Sequence, residues 1–248
     1  MSLNKLEKLN SHKRDLRIKF DSENHIYTID GNDNYISATE LVNKFFPVFE
    51  KDFWANKQSE KTGIPKQEII KEWDDKGNKA RQAGTLLHLQ IENYYNDLEY
   101  EKNLEVMKFL DFDKKYITNK HKPFRTEWKI FDEDNLIAGT VDMVYQKKGG
   151  ELFIFDWKRS KNVIKNDGRI DDINPFENGM KGLSHLSSTD YIKYTLQQNI
   201  YKYILEKKYN KNISSMNLLI LHPNYINFHI VQVEEMKKEI EYLISHSK

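Results

Sequence analysis

The chain has no cysteine in 248 residues. Disulfides, thiol nucleophiles, thiolate zinc sites and iron–sulfur clusters are thereby excluded. No apolar run approaches the length of a membrane span. The first ten residues, MSLNKLEKLN, lack the apolar core of a secretory leader, so an intracellular location with no membrane partner is the expectation. Net charge is also nearly absent: 39 Lys and Arg against 38 Asp and Glu leave +1. No global positive field steers the molecule onto a polyanion, and any such contact must come from a local basic patch. No internal repeat or low-complexity linker is visible. What is present is 38% hydrophobic and 31% charged residues, polar for a globular chain but not disordered. The length suits one large domain or a domain with an appendage.

Hydrophobic patterning gives an ordered series of elements. Leu16–Phe20 and His25–Ile29 alternate as two short strands about the turn Asp21–Asn24. Ser37 or Thr39 caps a helix carrying Leu41, Val42, Phe45 and Phe46, which stops near Pro47. Residues 50–78 read as helical pieces broken at Gly63-Ile64-Pro65, with Trp73 as a core anchor. A strong helix follows over about Lys79–Leu98, with Leu87, Ile91, Tyr94 and Tyr95 as its apolar stripe. His88 and Glu92, four apart, share one face of it. A second helix, about Leu104–Thr118, precedes three strand-like runs, Phe124–Phe131, Leu136–Tyr145 and Glu151–Lys158, joined by turns short enough for hairpins. The long polar stretch 159–188 is of the kind that is usually functional or mobile, and it is expected to be the most mobile internal segment. Thr189-Asp190 caps a helix over about Tyr191–Tyr209. Strands at Met216–Leu221 and Ile226–Val233 and an amphipathic helix over Glu234–Ser245 close the chain. The reading is one α/β domain: a core over about 79–233, an N-terminal hairpin and helices over about 15–78, and a C-terminal helix over about 234–246.

The organising stretch is Gly139–Lys158, GTVDMVYQKKGGELFIFDWK. Each of its two strands delivers one carboxylate, Asp142 and Asp156. Strand alternation points Asp156 and Lys158 to one face and Trp157 to the other. Leu152–Phe155 is apolar on both faces, so the second strand is central and buried. An acid and an ammonium at the end of such a strand are expensive. Two ionised carboxylates ~4 Å apart repel by about 4 kcal/mol at an effective dielectric of ~20, and a cation or a shared proton must relieve that. Oxygen ligands with at most one imidazole suit Mg²⁺ or Mn²⁺. Such an ion polarises a phosphoryl oxygen and acidifies a water, and Lys158 is placed to orient or deprotonate that water or to offset charge in the transition state.

Four short motifs stand in a fixed order: Gly84-Thr85-x-x-His88, Gly139-Thr140-Val141-Asp142, Asp156-Trp157-Lys158 and Gln197-x-x-x-Tyr201. Together they resemble the PD-(D/E)XK nuclease superfamily, in the branch of RecB-type nuclease domains, the mitochondrial genome maintenance exonuclease and phage recombination exonucleases. The match covers roughly residues 84–201 and leaves most of the N-terminal third outside. The proline of the signature is missing, since Val141 precedes Asp142. The resemblance implies a restriction-endonuclease-like core of helix, three-stranded antiparallel meander, helix and strand, with an N-terminal extension. It implies a Mg²⁺- or Mn²⁺-dependent deoxyribonuclease, an exonuclease acting on single- or double-stranded DNA ends in replication, repair or recombination. His88, Asp142, Asp156 and the Trp157 carbonyl would hold the metal. Asp142, Asp156, Lys158, Gln197 and Tyr201 would form the catalytic set, with Gln197 positioning the substrate or the catalytic strand; Glu92, one turn after His88, reads equally as a further catalytic acid binding a second metal or water and as a helix-surface acid. A homo-oligomer, or a recombination or replication partner, belongs to the same expectation. So does a location in the cytoplasm, including that of a host cell if the chain is phage-encoded.

Arg159, Ser160, Lys161 and Lys165 follow the catalytic lysine as a short basic run suited to flanking phosphates. Arg81 and Lys193 are further phosphate candidates, and Tyr191, Tyr194 and Tyr203 are candidates for base stacking or for the core. Glu127 is either an acid beside the site or an exposed strand residue. Other readings stay open: a structure- or site-specific endonuclease of the same fold, an inactive nucleic-acid-binding relative, and RNA as substrate. No helicase-type phosphate loop is present, so unwinding would fall to a partner.

Overall fold

The computed structural model describes residues 4–248. A mixed sheet carries helices on both faces. Its centre is an antiparallel meander, β4 (Lys122–Asp132), β5 (Ile137–Gln146) and β6 (Leu152–Lys158). Strand β7 (Ile213–Ile220) adds parallel to β6, and β8 (His229–Val233) adds antiparallel to β7. The fold is therefore α/β. Before the meander stand a short helix α1 (Lys5–Leu9) and the hairpin β1 (Ile18–Asp21) and β2 (Ile26–Ile29), antiparallel as expected.

One detail of pairing was not legible. The two-residue strand β3 (Ile36–Ser37) lies parallel to β5 at Ile137 and Ala138, on the edge of β5 that pairs with β6 only from Met143 onward. Between them residues 139–142 of β5 have no strand partner on that side. This gap becomes the site. A two-residue strand has too little pattern to be read from sequence.

The helices fill the two faces. On one, α2 (Ala38–Asn43) and α6 (Asp190–Tyr209) pack Leu41, Val42, Leu196, Ile200 and Ile204 against Val144, Ile154 and Leu218. Ser37 caps α2 by accepting from Glu40 N–H, and Thr189 caps α6 by accepting from Ile192 N–H. On the other, α4 (Lys66–Tyr95) and α5 (Leu104–Phe112) pack Leu87, Ile91, Val106, Phe109 and Phe112 against Met143, Tyr145, Phe155 and Trp157. Helix α7 (Lys237–Ser245) closes the chain, with Ile240 and Leu243 buried.

Two expectations need correction. The strong helix does not begin near Lys79; it runs unbroken from Lys66, through Gly77. The true break is the one at Gly63-Ile64-Pro65, where Gly63 at φ 73° ends α3 (Lys51–Thr62) in the left-handed region. A mid-helix glycine costs only about 1 kcal/mol, too little to stop a run of strong helix formers. Trp73 is not a core anchor: it is half-buried against Phe49, with ring centroids 5.7 Å apart. The 159–188 connection has one 3₁₀ turn at Lys181–Leu183 and two isolated bridges. It is tied down at several points, with Val163 and Leu183 buried, Met180 N–H donating to Phe45 O, and Tyr225 Oη donating to the Lys161 and Ile164 carbonyls.

Candidate metal and phosphodiester site

The site forms where the meander opens. The β4–β5 register runs Thr126↔Met143 and then Trp128↔Val141, which sets Glu127 opposite Asp142. The β5–β6 ladder ends at Met143↔Phe155, one residue short of Asp142 and Asp156. Three carboxylates thus stand in one row across three strands. As β6 leaves β5, its Trp157 N–H, without a partner on the β5 backbone, donates to Asp142 Oδ2 at 2.8 Å. Glu127 takes φ 44° within β4, a left-handed backbone that costs an ordinary side chain on the order of 1 kcal/mol or more. Such strain persists where the surroundings impose it, and it aims this carboxylate at the site.

His88, on the buried flank of α4, completes the cluster. One ligand atom from each of His88, Glu127 and Asp142 lies within 4.8 Å of the others. Nε2 of His88 is 2.9 Å from the Trp157 carbonyl. A carbonyl cannot donate, so Nε2 carries the proton and Nδ1 faces Glu127 Oε1 at 3.5 Å and Asp142 Oδ2 at 3.6 Å. An imidazole whose second nitrogen donates to a carbonyl is held in one tautomer and orientation, as metal-ligating histidines usually are. Burial alone would lower its pKa, but the charges of Asp142 and Glu127 outweigh that and push it up to about 10. Asp142 is raised, first by burial and then by Glu127, against the pull of His88 and Lys158.

Asp156 faces the α6 side. Gln198 Nε2 donates to its Oδ1 at 3.0 Å. Lys158 Nζ forms an ion pair with Oδ2 at 2.6 Å. Burial and the Asp142 charge push Asp156 up to about 6. For Lys158, burial would lower the pKa, but the Asp156 and Asp142 charges prevail and raise it, so it remains an ammonium. Its Nζ also reaches Gln197 Oε1 at 3.3 Å and stands 4.3 Å from the centre of the Tyr194 ring. The Trp157 side chain points the other way, into the aromatic cluster with Phe109, Phe112 and Phe155. The expected alternation along β6 is what the structure has.

The residues present fit a hard divalent cation. The donors are carboxylates and one imidazole, and three carboxylates face only two cationic groups, the His88 ring and the Lys158 ammonium. Glu127 belongs to this cluster more directly than Asp156 does, because Asp156 is turned towards Gln198 and Lys158. Glu127 was ambiguous in sequence, where a Glu between Thr126 and Trp128 reads equally as an exposed strand residue. Gln198 was missed altogether. The only signal for it was a second glutamine beside Gln197 in the middle of the helix.

A cleft of about 320 Å³ opens beside the cluster, lined by His88, Glu127, Thr140, Gln197 and Tyr201 and walled by Tyr27 and Thr39. The N-terminal extension, outside the motif match, thus supplies one side of the site. Tyr27 Oη is 2.9 Å from Thr140 Oγ1, and Gln197 Nε2 donates to Thr39 Oγ1, so Gln197 bridges Lys158 to α2. Tyr201 is buried with its ring over Gly139, where a Cβ would stand 2.5 Å from Cε1. Gly139 is required by that contact.

Several other expected residues lie elsewhere. Glu92 accepts from Asn4 Nδ2 at 3.2 Å and serves the packing of α1 rather than the carboxylate row. Arg159 Nε is paired with Glu105 Oε1 at 2.8 Å on α5, and Ser160 Oγ lies between Asp190 Oδ2 and Asn162 N. Neither is free for phosphate as it stands. Lys165 pairs with Asp171 at 3.5 Å, and Lys193 Nζ lies 5.3 Å from the centre of the Phe46 ring. Lys161 is exposed, and so is Arg81, which is two helical turns before His88 and bonded to Asn78. Tyr191 is buried in the core and Tyr203 packs partly against it.

No protein-family model matches this sequence, and no curated protein matches it. Among solved structures, the crystal structure of SSO0001 aligns over 98% of this chain and 80% of that one, at 16% identity and a TM-score of 0.38. So loose a superposition carries no argument about function. Among the described residues no helix is long and apolar enough to cross a membrane.

Proposed function

We propose that this protein is a divalent-cation-dependent deoxyribonuclease of the PD-(D/E)XK kind, hydrolysing phosphodiester bonds at DNA ends. The observation that carries the proposal is the row Glu127, Asp142 and Asp156, flanked by His88 and ending at the Lys158 ammonium. The element order α4, meander, α6 and β7, with β7 parallel to β6, supports a restriction-endonuclease-like core. Preference for ends rests on the family resemblance alone.

His88 Nδ1, Glu127 and Asp142, with Asp156 Oδ2 beside them and shared with Lys158, would hold the cation, which would supply polarisation of a phosphoryl oxygen and a lowered water pKa. Lys158 is held by Asp156, Gln197 and the Tyr194 face. As an ammonium it is placed to orient an attacking water and to offset negative charge developing on the phosphorus oxygens. Gln197 fixes the lysine by accepting from Nζ, and Thr39 fixes Gln197 in turn. Tyr201 and Tyr27 line the cleft and limit bulk water.

The test is cleavage of end-labelled linear duplex, single-stranded DNA, single-stranded RNA and covalently closed circles, each with Mg²⁺ and with Mn²⁺. Linear DNA should be degraded by the wild type and spared by Asp142→Asn. Cutting of closed circles would replace the end-acting reading with an endonuclease. Preference for the RNA strand would replace the substrate. No cleavage of any of the four with either ion would overturn the proposal.

A further inference from the structure

The α3–α4 hairpin carries a groove unlike the rest of the surface. From Lys51 to Lys79 only Ala55 and Ile69 are buried, so the hairpin stands off the core as an arm, and α4 continues from it to His88. Phe49, Trp54 and Trp73 line the groove together with Lys57, Gln58 and Lys61. Phe49 is 61% exposed and Trp54 45%. The other two tryptophans, Trp128 and Trp157, are fully buried. Clustered exposed aromatics on an otherwise charged surface mark a place where something docks.

The charges around the groove suggest what docks there. Elsewhere on the arm Lys51 pairs with Asp74, Lys66 with Asp52 and Lys76 with Glu72, while Lys71 and Lys79, outside the groove lining, are also without a carboxylate partner among the described residues. Lys57 and Lys61, one helical turn apart and beside the aromatics, have no carboxylate within 4 Å among the described residues. Lys57 Nζ lies 4.7 Å from the centre of the Phe53 ring and 5.5 Å from that of Trp54. An apolar protein partner would have to desolvate both ammonium groups, whereas a polyanion with flat faces satisfies lysines and rings together. Duplex is disfavoured, because its bases are already stacked on one another. Between the groove and the site, Arg81 is exposed, and a Cβ on Gly77 or Gly84 would meet nothing within 4 Å, so the path along α4 is open. His88 stands fifteen positions after Trp73, about 22 Å along the helix.

We propose that this groove binds single-stranded nucleic acid, with unpaired bases stacked on Trp54, Trp73 and Phe49 and phosphates on Lys57 and Lys61. The strand then runs along α4 past Arg81 to the carboxylate cleft. The course to the cleft rests on the nuclease reading; binding in the groove does not.

The experiment is a tryptophan-fluorescence titration of the full chain with a short oligothymidylate in chelator, where cleavage is absent. Stacking should quench emission, and Trp54→Phe and Trp73→Phe should each remove part of the quenching. Trp54→Ala should weaken binding roughly 5- to 150-fold, as loss of one stacking platform does. Lys57→Ala combined with Lys61→Ala should flatten the log–log salt dependence by about 1.4. Helix content by circular dichroism checks that these exposed substitutions leave the arm folded. Absent quenching, unchanged affinity in the folded variants, or quenching of equal strength by duplex overturns the proposal. So does self-association through the arm that the oligonucleotide does not compete. Quenching without cleavage by any metal-loaded sample would sink the nuclease reading and leave the groove; cleavage with no quenching would do the reverse.

Discussion

Replacing Glu127 by Gln tests the metal cluster at its least obvious member. In the metal-free protein the charge of Glu127 has two opposed effects. It repels Asp142, within 4.8 Å, by about 3.5 kcal/mol at an effective dielectric of ~20. It attracts the His88 imidazolium, 3.5 Å away, by about 5 kcal/mol on the same scale. The two nearly cancel, so Glu127→Gln should change metal-free stability by only about 1 kcal/mol. With metal the balance differs, because the variant loses a charged ligand. At a free Mn²⁺ concentration of ~100 Kd the wild type gains about 2.7 kcal/mol, and a ~100-fold weaker variant only about 0.4 kcal/mol. For a chain of 248 residues that is a Tm rise of about 5–11 °C against about 1 °C. Thermal melts with chelator and with Mn²⁺ measure both quantities. A variant that keeps the full metal-induced rise would remove Glu127 from the ligand set. One that loses several kcal/mol without metal would show that Glu127 is structural.

Lys158→Ala should lower cleavage at least ~10²-fold, as removal of a preorganised charge-stabilising group does, while DNA affinity in Ca²⁺ is kept; near-normal turnover would refute its role. Gly139→Ala should cost about 1–3 kcal/mol by overpacking against the Tyr201 ring, and Tyr201→Leu should recover part of that in a double-mutant denaturation cycle. Gln198→Ala leaves Asp156 Oδ1 without its donor and should cost about 1–3 kcal/mol, read from chemical denaturation. Glu133 is held down to about 2 from its ordinary 4.5, chiefly by hydrogen bonds from Arg14, against some desolvation. Its contribution is therefore full above pH ~4.5 and is lost as pH falls towards 2. With its side chain about one-third exposed, that contribution is about 1–2 kcal/mol after allowance for screening. Glu133→Gln should be less stable than wild type at neutral pH, and the gap should close on acidification; a gap independent of pH would contradict this.

The sequence by itself determined the elements whose pattern is local. The meander, the capped helix after it and the existence of strand β7 follow from alternation, helical periodicity and Thr189-Asp190, because burial of one face acts within a few residues; that β7 runs parallel to β6 was left to the fold. Alternation along β6 likewise fixed that Asp156 and Lys158 share a face while Trp157 turns away; the resemblance implied the Trp157 carbonyl as a metal ligand, whereas in the structure it lies 2.9 Å from His88 Nε2. Tertiary structure decided what depends on register and on distant partners. Glu127 faces Asp142 only because β4 and β5 pair as they do, and a one-residue slip would have turned it away. Arg159 looked free beside Lys158 until α5 brought Glu105 to it, and Glu92 looked like a site acid until α1 brought Asn4. The gap at residues 139–142 exists because β3, two residues long, occupies one end of a strand edge that β6 leaves early. Thr39 and Tyr27 reach the site from an extension whose own sequence carries no motif. Local pattern records which face a side chain takes; which charges meet across that face is set by chain segments tens of residues apart, and only folding brings them together.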